Sequence, residues 1–123
     1  MRRYALLALL AALWAAPAAA QMPALVFFEP HSAALGEPAE AILRRFAAEA
    51  AQSRDAIEIR GFADPEGGVP YNRALSLARA EHVAHRLREF GLPAERLRIT
   101  ARGPVSSVID DQESRRVEVR ILR

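Results

Sequence analysis

The stretch Gly61-Phe62-Ala63-Asp64-Pro65-Glu66-Gly67-Gly68 separates two different hydrophobic periods in this sequence. Before it, apolar and charged residues alternate, which predicts a half-buried β-strand over Ala56 to Phe62. After it, the apolar residues recur at helical spacing, which predicts a long helix from about Pro70 to Phe90. The proline and glycines between the two segments require a turn. Asp64 is therefore expected at the mouth of a strand-to-helix turn.

The long predicted helix has one polar face and one apolar face. The polar residues recur at spacings of four, three and seven, and so share one face: Asn72, Ser76, Arg79 and Arg86. The apolar residues form the opposite stripe: Leu77, Ala80, Val83, Ala84, Leu87 and Phe90. We therefore expect Asp64 to face a polar stripe outside the core. One carboxylate and one guanidinium across a cleft would suit a zwitterionic ligand.

The rest of the chain predicts one α+β domain. Leu25 to Phe28 is a short apolar run typical of a strand. Pro38 opens a helical pattern that ends near Ser53, and further strands are predicted from Arg96 to Ala101 and from Arg116 to Leu122. The predicted order is β-α-β-α-β-β. That order indicates a two-layer sandwich in which a mixed four-stranded sheet has its helices on one face.

Three motifs in the same order resemble the peptidoglycan-binding domain of the OmpA family, which is shared with Pal lipoproteins and MotB. The family carries Gly-His-Thr-Asp, a glycine-rich loop, and then Asn-x-x-Leu-Ser-x-x-Arg-Ala. This chain reads Gly61-Phe62-Ala63-Asp64 and then Asn72-Arg73-Ala74-Leu75-Ser76-Leu77-Ala78-Arg79-Ala80. Near the end, Ser114-Arg115-Arg116-Val117-Glu118 is similar to the family's Asn-Arg-Arg-Val-Glu. The resemblance covers about residues 25 to 122 and implies the same α+β fold.

The resemblance implies non-covalent binding of peptidoglycan through the diaminopimelate of the stem peptide. It assigns the ammonium group of diaminopimelate to Asp64 and the neighbouring carboxylate to Arg79. Asn72 would position the ligand or the loop, and one of Arg115 and Arg116 would complete the anion-binding side. On this view, Asp64→Ala and Arg79→Ala each remove binding and leave the fold intact.

The chain departs from the family pattern at three places. Phe62 and Ala63 stand where the family has His and Thr, which removes a polar ring edge and a hydroxyl. Ser114 replaces the Asn of the last motif. The segment from Val105 to Glu113 matches least, and it corresponds to a loop that rims the site in relatives.

The N-terminus is typical of a secretory signal peptide over residues 1–20. Arg2-Arg3 precedes an apolar run from Tyr4 to Trp14, and Ala18-Ala19-Ala20 offers a cleavage signal. The alternative is an uncleaved anchor, although the apolar run is short for a membrane span. The expected product is a periplasmic domain over residues 21–123, associated with the cell wall or the outer membrane. The chain has no cysteine, which excludes the lipid attachment of Pal-type proteins and thiolate metal sites.

The charge balance gives no sign of a nucleic-acid-binding protein. The chain has 17 basic residues, all of them arginine, and 15 acidic residues. Without Arg2 and Arg3 the numbers are equal, so the expected mature domain is formally neutral. A general electrostatic attraction to nucleic acid is therefore not expected.

Other functions have weaker support in the sequence. Asp64 and Glu66 form a carboxylate pair that could act on a glycan, but a turn acid beside a solvated acid explains them as well. His82 and His85 are three residues apart on the long helix, and no third metal ligand is evident. We therefore expect no enzyme activity, no metal and no cofactor. The remaining alternative is an adaptor that binds an envelope protein instead of the cell wall.

Overall fold

A computed structural model of the chain describes residues 22–64, 68–104 and 114–123. The described residues form four strands and two long helices: β1 (Ala24–Phe27), α1 (Glu37–Ala50), β2 (Ile57–Ala63), α2 (Val69–Glu89), β3 (Leu97–Pro104) and β4 (Arg116–Ile121). This order confirms the predicted β-α-β-α-β-β arrangement. A short 3-10 helix, Ala94–Arg96, precedes β3. The predicted signal peptide, Glu66 and the segment from Val105 to Glu113 lie outside the described residues.

The four strands form one mixed sheet in the order β1-β4-β2-β3. Strand β4 pairs antiparallel with both β1 and β2, while β2 and β3 are parallel. A parallel pair needs a long crossover connection, and α2 supplies it. The helices and one face of the sheet enclose a single core, which confirms the predicted α+β two-layer fold.

The hydrophobic core is built from the alternating residues of the central strands and the apolar faces of both helices. In β4, Val117, Val119 and Ile121 are buried, while the residues between them are partly exposed. Strand β2 begins with the same alternation. Leu43 and Phe46 contribute from α1, and the second half of α2 contributes Ala80, Val83, Ala84 and Leu87. Alternation with period two therefore determines which sheet face meets the helices.

Gly61 allows α2 to lie directly against β2. A Cβ atom at this position would stand 2.1 Å from the backbone oxygen of Ser76. The hydroxyl of Ser76 accepts a hydrogen bond from the Gly103 amide at 3.1 Å and donates one to the Arg73 oxygen at 2.9 Å. The first glycine of the deciding stretch is thus required by a close backbone approach.

Gly61→Ala is expected to destabilise the protein by roughly 1–3 kcal/mol, the usual cost of overpacking a tight contact. Gly36→Ala is the matched control, because a Cβ there would meet only Pro38 at an ordinary 3.7 Å. We expect the control to stay within about 1 kcal/mol of the wild type. Urea unfolding measures both variants, and equal stability of the two would contradict the close approach.

None of the helices in the described parts of the chain combines the length and the apolarity that a membrane crossing requires.

Candidate functional site

Asp64 lies immediately after β2, where the end of that strand adjoins the start of β4. Its Oδ1 accepts a hydrogen bond from the Ser114 hydroxyl at 2.9 Å. Its Oδ2 lies 3.3 Å from Nη1 of Arg115. The side chain of Asp64 is 20% exposed and that of Arg115 is 17% exposed. The antiparallel pairing of β2 and β4 therefore brings an accessible carboxylate and an accessible guanidinium together.

The two consecutive arginines of the last motif lie in different environments. Arg115 contacts Asp64 and also donates from Nε to the Phe28 oxygen at 3.2 Å. The guanidinium of Arg116 lies 4.0 Å from the ring centre of Phe62 and pairs with Glu118 at 3.3 Å. The structure therefore brings Arg115 to Asp64.

Arg79 is fully buried beneath this site, so the expected polar stripe outside the core is wrong. Asn72, Ser76 and Arg79 have almost no exposed surface, whereas Leu77 of the supposed apolar stripe is 40% exposed. Arg79 donates three hydrogen bonds to backbone oxygens: from Nε to Ser32 at 2.8 Å, from Nη1 to Phe62 at 3.2 Å and from Nη2 to Glu29 at 3.1 Å. Its guanidinium also lies 5.2 Å from the ring centre of Phe28.

The physical reason for this burial is the loop between β1 and α1. Several of its carbonyl groups are bonded by side chains of α2, and buried carbonyls need donors. Besides Arg79, His82 bonds through Nδ1 to the Ala33 oxygen at 2.6 Å, and Tyr71 Oη lies 3.0 Å from Nδ1 of His31. One face of α2 therefore holds the loop in place.

Asn72 fixes the start of α2. Its Nδ2 donates to the Gly68 oxygen at 2.8 Å, and its backbone amide bonds to the same oxygen at 3.1 Å. Gly68 has a φ of 87°, in the left-handed region that favours glycine. Asn72 is 1% exposed, so in this structure it holds Gly68 at the start of α2.

The charges of the site act on one another. Burial lowers the pKa of the Arg79 guanidinium from its ordinary value, while the negative charge of Asp64 raises it. Arg115 lowers the same pKa, and Tyr71 raises it. Arginine remains protonated at any physiological pH. Among the described residues, the site therefore combines one carboxylate, Asp64, with two guanidinium groups, Arg79 and Arg115.

This arrangement can bind an ammonium group and an anion that belong to one molecule. Asp64 can accept hydrogen bonds from an ammonium, and an arginine fork matches a carboxylate. No cluster of three or more metal-ligating His, Cys, Asp or Glu side chains occurs in residues 22–64, 68–104 and 114–123. His82 bonds to the β1–α1 loop, and His85 lies 3.5 Å from Glu89.

Sequence reasoning missed two contributors to the site. In the sequence, Ser114 stands out only because it lacks the side-chain amide of the family's Asn. In the structure, its buried hydroxyl orients Asp64. The loop from Glu29 to Ser32, which supplies two oxygens to Arg79, carries no polar motif of its own. One feature of the sequence points to Ser114 as a site residue. It directly precedes Arg115 and Arg116, at the start of the motif that leads into β4.

The comparisons with known proteins agree with this fold. The family model described as the OmpA family matches residues 27–120. The structure resembles the peptidoglycan-associated lipoprotein from Burkholderia pseudomallei, with a TM-score of 0.71 and 24% identity over 77% of this chain and 86% of that one. No curated protein sequence matches the chain.

Two further solved structures share the fold. The OmpA-like domain of FopA1 from Francisella tularensis has a TM-score of 0.71 and 22% identity over 77% of this chain and 68% of that one. The C-terminal domain of Helicobacter pylori MotB also has a TM-score of 0.71, with 23% identity over 83% of this chain and 84% of that one. The family match spans most of the chain, and the chain belongs to the OmpA family of peptidoglycan-binding domains.

Proposed function

We propose that this protein binds peptidoglycan non-covalently through the diaminopimelate of its stem peptide. The observation that carries the proposal is the accessible Asp64 carboxylate, which lies beside Arg115 and within the electrostatic range of Arg79. The distal end of diaminopimelate carries an ammonium and a carboxylate on one carbon. The signs of the charges in the site match that pair.

Asp64 is the proposed partner of the ammonium group. Its oxygens already receive one hydroxyl and one guanidinium, but an ionised carboxylate has about four acceptor positions. Ser114 holds the carboxylate in one orientation, so a ligand need not order it on binding. A fixed, partly exposed carboxylate is well suited to bind an ammonium.

The two guanidinium groups are the proposed partners of the carboxylate. Arg115 is the accessible one and can contact the ligand directly. Arg79 has five N–H donors; two bond to the β1–α1 loop and one to the Phe62 oxygen of β2, so two remain. Because Arg79 has no exposed surface, direct contact with it requires the groups above it to move. The positive charge of Arg79 attracts the ligand carboxylate whether or not the two groups come into direct contact.

Asn72 and Arg116 have indirect roles in this proposal. Asn72 holds Gly68, the residue before α2. Arg116 covers Phe62, whose backbone oxygen is a partner of Arg79. The two residues therefore support the start of α2 and the end of β2.

The protein is proposed to act in the periplasm as a binding protein without catalytic activity. Two of the similar structures are a peptidoglycan-associated lipoprotein and a periplasmic domain of MotB, which supports an envelope location. The site pairs its only described carboxylate with arginines, a set of charges that suits the binding of an ionic ligand. The location is also supported by the apolar N-terminal segment of the sequence.

Co-sedimentation with purified sacculi tests the proposal. We expect the protein to sediment with diaminopimelate-type sacculi, and free diaminopimelate to release it more effectively than lysine does. The variant Glu95→Gln is a control, because this exposed acid lies on the 3-10 helix. A protein that remains in the supernatant with sacculi of this type would instead support an adaptor role.

A further inference from the structure

The sheet face opposite the helices carries a dense set of charged side chains. The helices cover only the face with Val117 and Val119, so the residues between them point the other way. The strand pairing orders these outward residues into rows. In the first row, Glu58 of β2 stands between Arg98 of β3 and Arg120 of β4.

The next rows continue the pattern. Arg60 stands between Thr100 and Glu118 in the second row. In the third, Arg116 covers Phe62, whose partner on β3 is Gly103 because the register shifts between Gly61 and Phe62. Among the described residues of this face there are four arginines and two glutamates: Arg60, Arg98, Arg116, Arg120, Glu58 and Glu118. These residues give the face an excess of two positive charges.

Both glutamates of this face already have arginine partners in their own strands. Glu58 pairs with Arg60 at 2.8 Å, and Glu118 pairs with Arg116 at 3.3 Å. Within the described ranges, Arg98 and Arg120 make no ion pair with any carboxylate. Arg98 is exposed, and Arg120 is partly exposed. These two arginines are available to a partner.

The charged rows have an apolar border on β1. Leu25, opposite Glu118, is 37% exposed, and Phe27, opposite Arg116, is 40% exposed. A surface that combines free arginines with exposed leucine and phenylalanine resembles a protein-binding surface, because arginine and aromatic residues are enriched there. Anionic membranes are recognised by clusters of about four to eight basic residues, and this face has a smaller excess of charge.

We propose that this face binds a short acidic segment of another protein. Bidentate pairing with arginine favours carboxylates, and the apolar border offers contact to aliphatic side chains between them. Strand spacing of about 4.8 Å and a rise of about 3.3 Å per residue give the face sides of roughly 15–20 Å. Such an area is well below the ~800 Å² per partner of a standard interface. The partner is therefore a short segment, and its binding is weak and sensitive to salt.

A fluorescent peptide that alternates glutamate with valine tests the proposal, and a matched lysine–valine peptide serves as the reference. We expect the wild-type protein to bind only the acidic peptide, more weakly as salt is added. The double variant Arg98→Gln/Arg120→Gln should bind roughly tenfold more weakly. The control Arg54→Gln/Arg88→Gln removes two exposed arginines elsewhere and should bind as the wild type does.

Two further measurements separate this face from other binding modes. Asp64→Asn should retain peptide binding, because the proposed wall site lies where the end of β2 adjoins the start of β4 and not on this face. Vesicles of phosphatidylglycerol should not compete with the peptide. The proposal is overturned if the double variant binds the acidic peptide as the wild type does, if binding is lost with Asp64→Asn, or if vesicles bind and the peptide does not.

Discussion

Arg79→Leu is expected to destabilise the protein by about 3 kcal/mol or more. The substitution removes one donor from each of three backbone oxygens, those of Glu29, Ser32 and Phe62, and the Glu29 oxygen keeps a second donor, the Ser32 amide. A buried acceptor left without a donor costs about 1–3 kcal/mol. Small domains have only about 5–15 kcal/mol of total stability, so a large part of it would be lost. Urea unfolding followed by circular dichroism measures the change.

The same helix provides the matched control for this experiment. Arg88 is exposed on α2 and lies outside the network that holds the β1–α1 loop. Arg88→Leu should change the stability by no more than about 0.5 kcal/mol. Arg79→Lys should fall between the two variants, because a lysine keeps the charge but not the planar arrangement of donors. If Arg79→Leu were as stable as Arg88→Leu, Arg79 would not hold the loop.

This expectation replaces an interpretation made from the sequence, in which Arg79→Ala would remove binding and leave the fold intact. Loss of binding in an Arg79 variant has two explanations, because the residue carries a charge and also supports the loop. Binding experiments on the site are therefore better based on Asp64 and Arg115, whose side chains are partly exposed.

Asp64→Asn is expected to weaken the binding of a diaminopimelate muropeptide by about tenfold to more than a hundredfold. The substitution keeps the shape of the side chain and an oxygen for the Ser114 hydroxyl, but it removes the negative charge. A hydrogen bond to a charged group contributes roughly 1.5–3 kcal/mol, and each 1.4 kcal/mol is about a tenfold change in affinity. Titration with a labelled muropeptide measures the loss.

The fold should tolerate Asp64→Asn. The lost ion pair with Arg115 is partly exposed, and such pairs contribute about 0–1 kcal/mol. Glu95→Gln removes an exposed acid elsewhere and should leave the affinity unchanged. If Asp64→Asn bound the muropeptide as tightly as Glu95→Gln does, the ammonium would bind at another place.

The sequence alone predicts the architecture because local patterns carry most of it. The alternation around Ile57 and Ile59 predicts β2 to within one residue at each end. The helical period predicts a helix from about Pro70 to Phe90, and α2 runs from Val69 to Glu89. Gly61 is required by the contact with α2. It lies in the stretch between the alternating pattern of β2 and the helical pattern of α2.

The environment of the site residues could not be predicted in the same way. Helical spacing shows that Asn72, Ser76 and Arg79 share a face, but not what that face packs against. What this face packs against depends on the carbonyl groups of Glu29 and Ser32, which lie about fifty positions before Arg79 in the chain. Similarly, alternation separates Arg115 from Arg116, and only the pairing of β4 with β2 shows which of them lies near Asp64.

Calorimetry with two matched muropeptides tests the central claim most directly. One ends in diaminopimelate and the other in lysine, which has the amine but lacks the neighbouring carboxylate. The account predicts at least about 1.5 kcal/mol in favour of diaminopimelate, roughly tenfold in affinity, because only this ligand gives the guanidinium groups an anion. Amidation of the distal carboxylate should reduce the preference, and Arg115→Ala should reduce it as well. Equal affinity for the diaminopimelate and lysine forms would contradict the proposed recognition of the zwitterionic end.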